Sequence, residues 1–209
     1  MGRIYNEVAG RSLERLASLT DAIFAFAMTL LVLDIRVPDV NGIHTETQLG
    51  HALLALSPRL LTCVMTFLTL GVFWVGHQTH LGMLKRSDRN LTWIHIGFMF
   101  AVVLTPFSTA LLASFIDFRV AIFFYWLNIL LLGAMLFASY KYAFSHGLLD
   151  DGAPVGLDVV ERRIVVAQGL YFAAALVCLV NTRLSIALLF LIQANYAIAP
   201  RFLPWLYRV

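Results

Sequence analysis

Apolar residues fall into six runs, at roughly 16–35, 52–76, 91–115, 120–144, 164–180 and 184–206, separated by short polar stretches. A helix needs about 20 residues to cross a bilayer core, so the runs predict an all-α integral membrane protein with six transmembrane helices. No composition shift divides the chain, and residues 1–209 read as a single domain. Prolines set the finer expectations. Pro58 sits near the start of the second run, where proline is tolerated. Thr105-Pro106 should kink the third run or end its regular part, and Pro200 and Pro204 interrupt the sixth. Asn181-Thr182-Arg183 is a short link, which predicts an antiparallel hairpin of the last two runs. The stretch SHGLLDDGAPVGLDVVERR reads as the longest internal loop, too small for a catalytic domain.

Composition agrees with a membrane protein. Hydrophobic residues make up 60% and charged residues only 13%, against about a quarter charged in soluble domains. The net charge of +3 is small and the basic residues form no stripe, which argues against a nucleic-acid partner. Their distribution instead sets orientation. With both termini inside, Arg3, Arg11, Arg15, Lys85, Arg86, Arg89, Lys141, Arg162, Arg163, Arg201 and Arg208 are cytoplasmic, and Arg36, Arg59, Arg119 and Arg183 lie outside: 11 against 4 of the 15 Lys plus Arg. Cys63 and Cys178 fall inside apolar runs, so no disulfide framework is expected. The N-terminal stretch lacks a signal-peptide pattern and has Asn6 where a myristoylation motif needs Ser or Thr, so the first run is expected to remain as a helix.

Charges and hydroxyls make the first run chemically distinctive. On a wheel of 100° per residue, Ala22, Phe26, Thr29 and Leu33 fall within about 60°. Ser18, Arg15 and Arg36 extend the same stripe. Two readings of it stand: packing against other helices, or lining a pore. In a pore, Phe26 and Leu33 would form apolar rings about 10 Å apart, with the Thr29 hydroxyls between them. Such constrictions can gate by dewetting. Arg15 reads as a snorkelling interfacial residue or as a network member. Asp21, about five residues into the run, needs a partner or water. His77 and His80 near Asp88 allow a metal site in principle, but a helix-end pair reads more simply as interfacial. His44, His51, His95 and His146 read as loop or interface residues. HExxH, GxSxG and P-loop motifs are absent, so an enzyme is not expected.

Arg15-x-x-x-Leu19-Thr20-Asp21, followed by AIFAFAMTLLVLDIRVP, resembles the first-helix signature of the transmembrane protein 175 family. That family holds an animal lysosomal potassium channel and many bacterial relatives. Its usual signature has Phe and Ser where this chain has Leu19 and Thr20. GVFWVGHQTHLGML and SDRNLTWIHIGFMFAVVLTPFSTALL are similar to its second and third helices, so the likeness covers roughly residues 11–116. The signature occurs once here. The resemblance implies a single six-helix repeat assembling as a homotetramer, with a pore lined by the first helix. It further implies a potassium-permeable channel without a TVGYG filter, constricted at Phe26, Thr29 and Leu33. Phe26 departs from the family's usual aliphatic residue. Arg15, Thr20 and Asp21 would then hold the pore helix, with Trp74 and His77 as partners. The expected partners are potassium ions, the lipid bilayer and copies of the chain, with no cofactor. The expected location is the plasma membrane, both termini cytoplasmic. The rival reading is a proton- or cation-coupled transporter using Asp21.

Overall fold

The computed structural model describes residues 12–150 and 157–198. Seven α-helices lie among them: α1 (Leu13–Leu33), α2 (Glu46–Ala55), α3 (Ser57–Gly82), α4 (Arg89–Ser114), α5 (Arg119–Ser145), α6 (Leu157–Leu176) and α7 (Thr182–Ile198). Helices α1, α3, α4, α5 and the segment Val159–Leu179 are long and apolar enough to span a membrane. The expected sixth span is described only as the 17-residue α7, shorter than these; its continuation past Ile198 lies outside the described residues.

Polar caps set the helix limits. Ser12 Oγ accepts from the Arg15 amide at the start of α1, and Asp88 Oδ1 from the Leu91 amide at the start of α4. Asn181 Oδ1 accepts from the Leu184 amide, which starts α7 and shortens the expected link to its predecessor. A capping box between Thr45 and Gln48 starts α2. This helix corrects the second expected span. Residues from Ala52 do not begin a membrane helix; they finish α2, which buries none of its residues. The chain breaks at Leu56 and α3 restarts at Ser57, with Pro58 in the first turn, where its missing amide costs no hydrogen bond. The long internal loop is also shorter than expected, because α6 already begins at Leu157.

Helix α4 lies at the centre, touching α1, α3 and α5; α6 packs on α5, and α7 on α3 and α6. It runs unbroken through Pro106. Side chains bridge the proline region: Asn128 Nδ2 of α5 donates to the Ala101 carbonyl at 3.0 Å, and Ser108 Oγ donates to Asn128 Oδ1 at 3.0 Å. Thr109 Oγ1 also bonds Thr66 of α3 at 2.7 Å, and Thr66 and Gln193 both reach the Tyr125 hydroxyl. In lipid, packing and interhelical hydrogen bonds hold helices together, since apolar burial gives no preference for protein over tails. Leu70, Val102, Leu112, Ile122 and Leu132 fill the space between these bonds without exposure.

Candidate functional site

Helix α1 has two unlike faces. Leu16, Thr20, Phe24, Ala27 and Leu31 repeat every three or four residues and are buried against α3 and α4. The opposite face carries Ser18, Ala22, Phe26, Thr29 and Leu33, all exposed in the single chain. Phe26 is 65% and Leu33 74% exposed. The Thr29 hydroxyl donates to the Phe26 carbonyl at 2.8 Å on the exposed side. At the far end, Arg59 Nη1 donates to the Asp34 carbonyl at 2.8 Å, fixing the end of α1 to the first turn of α3.

Asp21 is exposed and faces α3. Its Oδ1 accepts from Trp74 Nε1 at 2.8 Å and also from Gln78 Nε2. Trp74 and Gln78 are four residues apart, so both reach the same carboxylate from one helix face. Thr20 turns the other way. It is fully buried, donates to the Leu16 carbonyl at 2.8 Å and lies 3.6 Å from Met99 Sδ of α4. Arg15 is exposed, and its guanidinium has no hydrogen-bond partner among the described residues. The structure therefore brings Asp21 and Trp74 together, while Thr20 and Arg15 each stand apart from that pair.

His77 is not at this carboxylate. It is fully buried one residue further round α3, with Nε2 at 2.8 Å from His95 Nδ1 of α4. His95 Nε2 lies 3.1 Å from Ser139 Oγ of α5, and Ser139 Oγ lies 2.7 Å from His80 Nε2. His77 also stacks on Phe98, and His80 packs against the tilted Tyr140 ring. His80 and His95 are thus core residues rather than interfacial ones: both are wholly buried. Asp88 does not join them. It caps α4 and accepts from the Tyr142 hydroxyl at 2.9 Å. The chain His77–His95–Ser139–His80 ties three helices directly behind the Trp74–Asp21 contact. Gln78, His80 and His95 were missed as network members. The signal for Gln78 was its i+4 spacing from Trp74, and for His80 its i+3 spacing from His77.

Comparison with known proteins places this arrangement. The sequence profile of a family described as the endosomal/lysosomal potassium channel TMEM175 matches residues 15–106, which hold the Asp21 contacts and the stripe. A potassium channel of Streptomyces collinus is 36% identical over 102 residues, 49% of this chain and 48% of that one. A potassium channel of Chamaesiphon minutus is 28% identical over 189 residues, 88% of this chain and 93% of that one. The human endosomal/lysosomal proton channel TMEM175 is 26% identical over 194 residues, 88% of this chain but only 38% of the longer protein. The crystal structure of a lysosomal potassium-selective channel TMEM175 homolog from Chamaesiphon minutus superposes with a TM-score of 0.76 at 27% identity, over 89% of this chain and 96% of that one. A helical bundle of this form, with the signature residues on its first helix and likeness along most of its length, is similar to members of the TMEM175 family.

Proposed function

We propose that the chain is one subunit of a potassium-permeable cation channel. In this reading four copies surround an axis, the exposed stripe of α1 faces that axis, and Phe26 and Leu33 form the constriction around the Thr29 hydroxyls. The observation that carries it is the outward stripe: bulky apolar residues and a hydroxyl, with no partner helix among the described residues, on a helix whose other face is fixed to α3 and α4. Asp21 and Trp74 would hold the helix at the height where the pore begins, Thr20 would seat it on Met99, and His77 would stiffen the helix behind it. Arg15 would find its partner in water, lipid headgroups or a neighbouring copy. In this reading the constriction gates by dewetting between apolar walls, and no carbonyl filter is required. Permeant potassium is the only ligand the reading requires. It places the complex in a plasma membrane with both termini cytoplasmic.

The test is electrical. Wild type, Leu33→Asn and Phe26→Asn are reconstituted and recorded in planar bilayers under potassium and sodium gradients. Polar side chains at a constriction should raise current several-fold and shift the potassium-to-sodium ratio. Unchanged current and ratio in both variants would remove these residues from the ion path. The exposure of Asp21 favours a second reading, a carrier coupled through that carboxylate. Saturating, proton-coupled uptake abolished in Asp21→Asn, with no unitary steps, would select it.

A further inference from the structure

Side chains hold α1 to the bundle at two heights. Near its start the Asp21 carboxylate meets Trp74 and Gln78. About 20 Å further along the axis, the Asp34 carbonyl accepts from Arg59 Nη1 at 2.8 Å. Between these points no side-chain hydrogen bond joins α1 to another helix among the described residues. Apolar packing serves there, and its last buried residue is Leu31. Val32 and Leu33 beyond it are 59% and 74% exposed. A helix end without packing frays unless its last carbonyls are satisfied. The last turn of α1 carries no basic residue of its own. Arg36 follows it, but is exposed and makes no hydrogen bond or ion pair among the described residues. The cation that reaches this end is Arg59, from the first turn of α3.

The contact is with backbone. The same Nη1 lies 4.0 Å from Asp34 Oδ1, outside hydrogen-bond range, and the two side chains are 34% and 39% exposed. An ion pair that long and that open to solvent contributes little. The carbonyl bond carries the contact, and it does not depend on residue 34 being acidic. We propose that Arg59 is the positioning residue for Leu33. It holds the last turn of α1 through the Asp34 carbonyl and so sets one end of the stripe separately from the other. Phe26 needs no such clamp, since buried Phe24 and Ala27 flank it and the Asp21 contacts lie close by. The consequence for ions rests on the channel reading; the placement of Leu33 does not.

Local order at the two ends of the stripe tests this. A nitroxide is attached at Leu33→Cys or at Phe26→Cys in the full chain, with Cys63 and Cys178 replaced by serine and alanine. The protein is reconstituted in bilayers and the label's mobility is read from its electron paramagnetic resonance line shape. Arg59→Met keeps the stem and removes the donor. It should raise the mobile fraction at 33 about threefold, the ratio that loss of one cation from a helix C-terminus supplies, and leave the label at 26 as in wild type. Asp34→Asn and Arg36→Met remove a charge near the same end but leave the bond, and should not change the label at 33. Arg59→Lys should recover most of the lost order, because its ammonium still offers the carbonyl a donor. An unchanged label at 33 in Arg59→Met overturns the proposal. Equal loosening at 26 and 33 would make Arg59 a general prop of the fold and overturn it too. So would loosening by Asp34→Asn, since the carboxylate would then hold the contact. In the unlabelled protein Arg59→Met should also shift the potassium-to-sodium ratio. A label loosened at 33 with that ratio unchanged sustains the clamp and removes Leu33 from the ion path, which separates failure of the channel reading from failure of this one.

Discussion

Asp21 is a charge held by two neutral donors, Trp74 Nε1 and Gln78 Nε2, at the edge of the bundle. Charge-assisted bonds are the stronger kind, and in membranes interhelical pairs average about 0.6 kcal/mol, with a maximum near 1.7. A double-mutant cycle of Trp74→Phe and Asp21→Asn in mixed-micelle unfolding should therefore give a coupling of about 1 kcal/mol. A coupling indistinguishable from zero would make the contact incidental. The pair was readable in the sequence because Trp74 and Asp21 both stand in signature positions at matching depth. The third member was not. His77 and Gln78 flank the Trp74 direction on opposite sides, about 60° and 40° away on the wheel. Which one faces α1 depends on how α3 is rotated, and that is fixed by the burial of His77 against His95, a contact between two runs that no local pattern announces. The polar knot of His77, His95, Ser139 and His80 stayed hidden for the same reason: each residue alone looks like an interfacial histidine or an ordinary serine.

Helix limits were more legible than helix partners. Runs three and four match α4 and α5 within a residue or two, because Asp88 and the Phe115–Phe118 turn punctuate the sequence. The second run misled because Ala52 to Ala55 is apolar yet belongs to α2; apolar content cannot distinguish a short surface helix from the first turns of a span. Pro106 was expected to disturb α4, and the helix continues instead. Proline removes the amide that would bond the Val102 carbonyl, and Asn128 ties α5 to α4 on both sides of that gap through Ala101 and Ser108. Proline is tolerated in membrane helices where neighbouring side chains satisfy the backbone. Asn128→Leu should accordingly cost about 1–2 kcal/mol and speed amide exchange in α4 on both sides of Pro106, with the outer turns of the helix unaffected. Uniform exchange along α4 in the variant would mean that the proline is accommodated by packing alone.

For the complex, the decisive question is what covers the outer face of α1. Exposed apolar residues are expected all around a membrane bundle, so exposure by itself does not separate an axial stripe from a lipid-facing one. Three features of α1 do argue for an axis. Its stripe alternates bulk with a hydroxyl at Thr29, it holds small Ala22 between Ser18 and Phe26, and it begins with the exposed charge of Arg15. A lipid-facing stripe has no use for any of these. Proximity between copies tests the arrangement directly. In a background with Cys63 and Cys178 replaced by serine and alanine, Leu33→Cys in native membranes should yield a ladder from monomer to tetramer with a short bis-thiol reagent. Leu127→Cys on α5, 53% exposed, should remain monomeric because it faces tails. A ladder ending at the dimer would replace the fourfold axis with a twofold one, and then Phe26 and Leu33 would seal an interface instead of a pore. Monomer alone from Leu33→Cys would turn the stripe toward lipid, and the ion path would have to be sought elsewhere in the bundle.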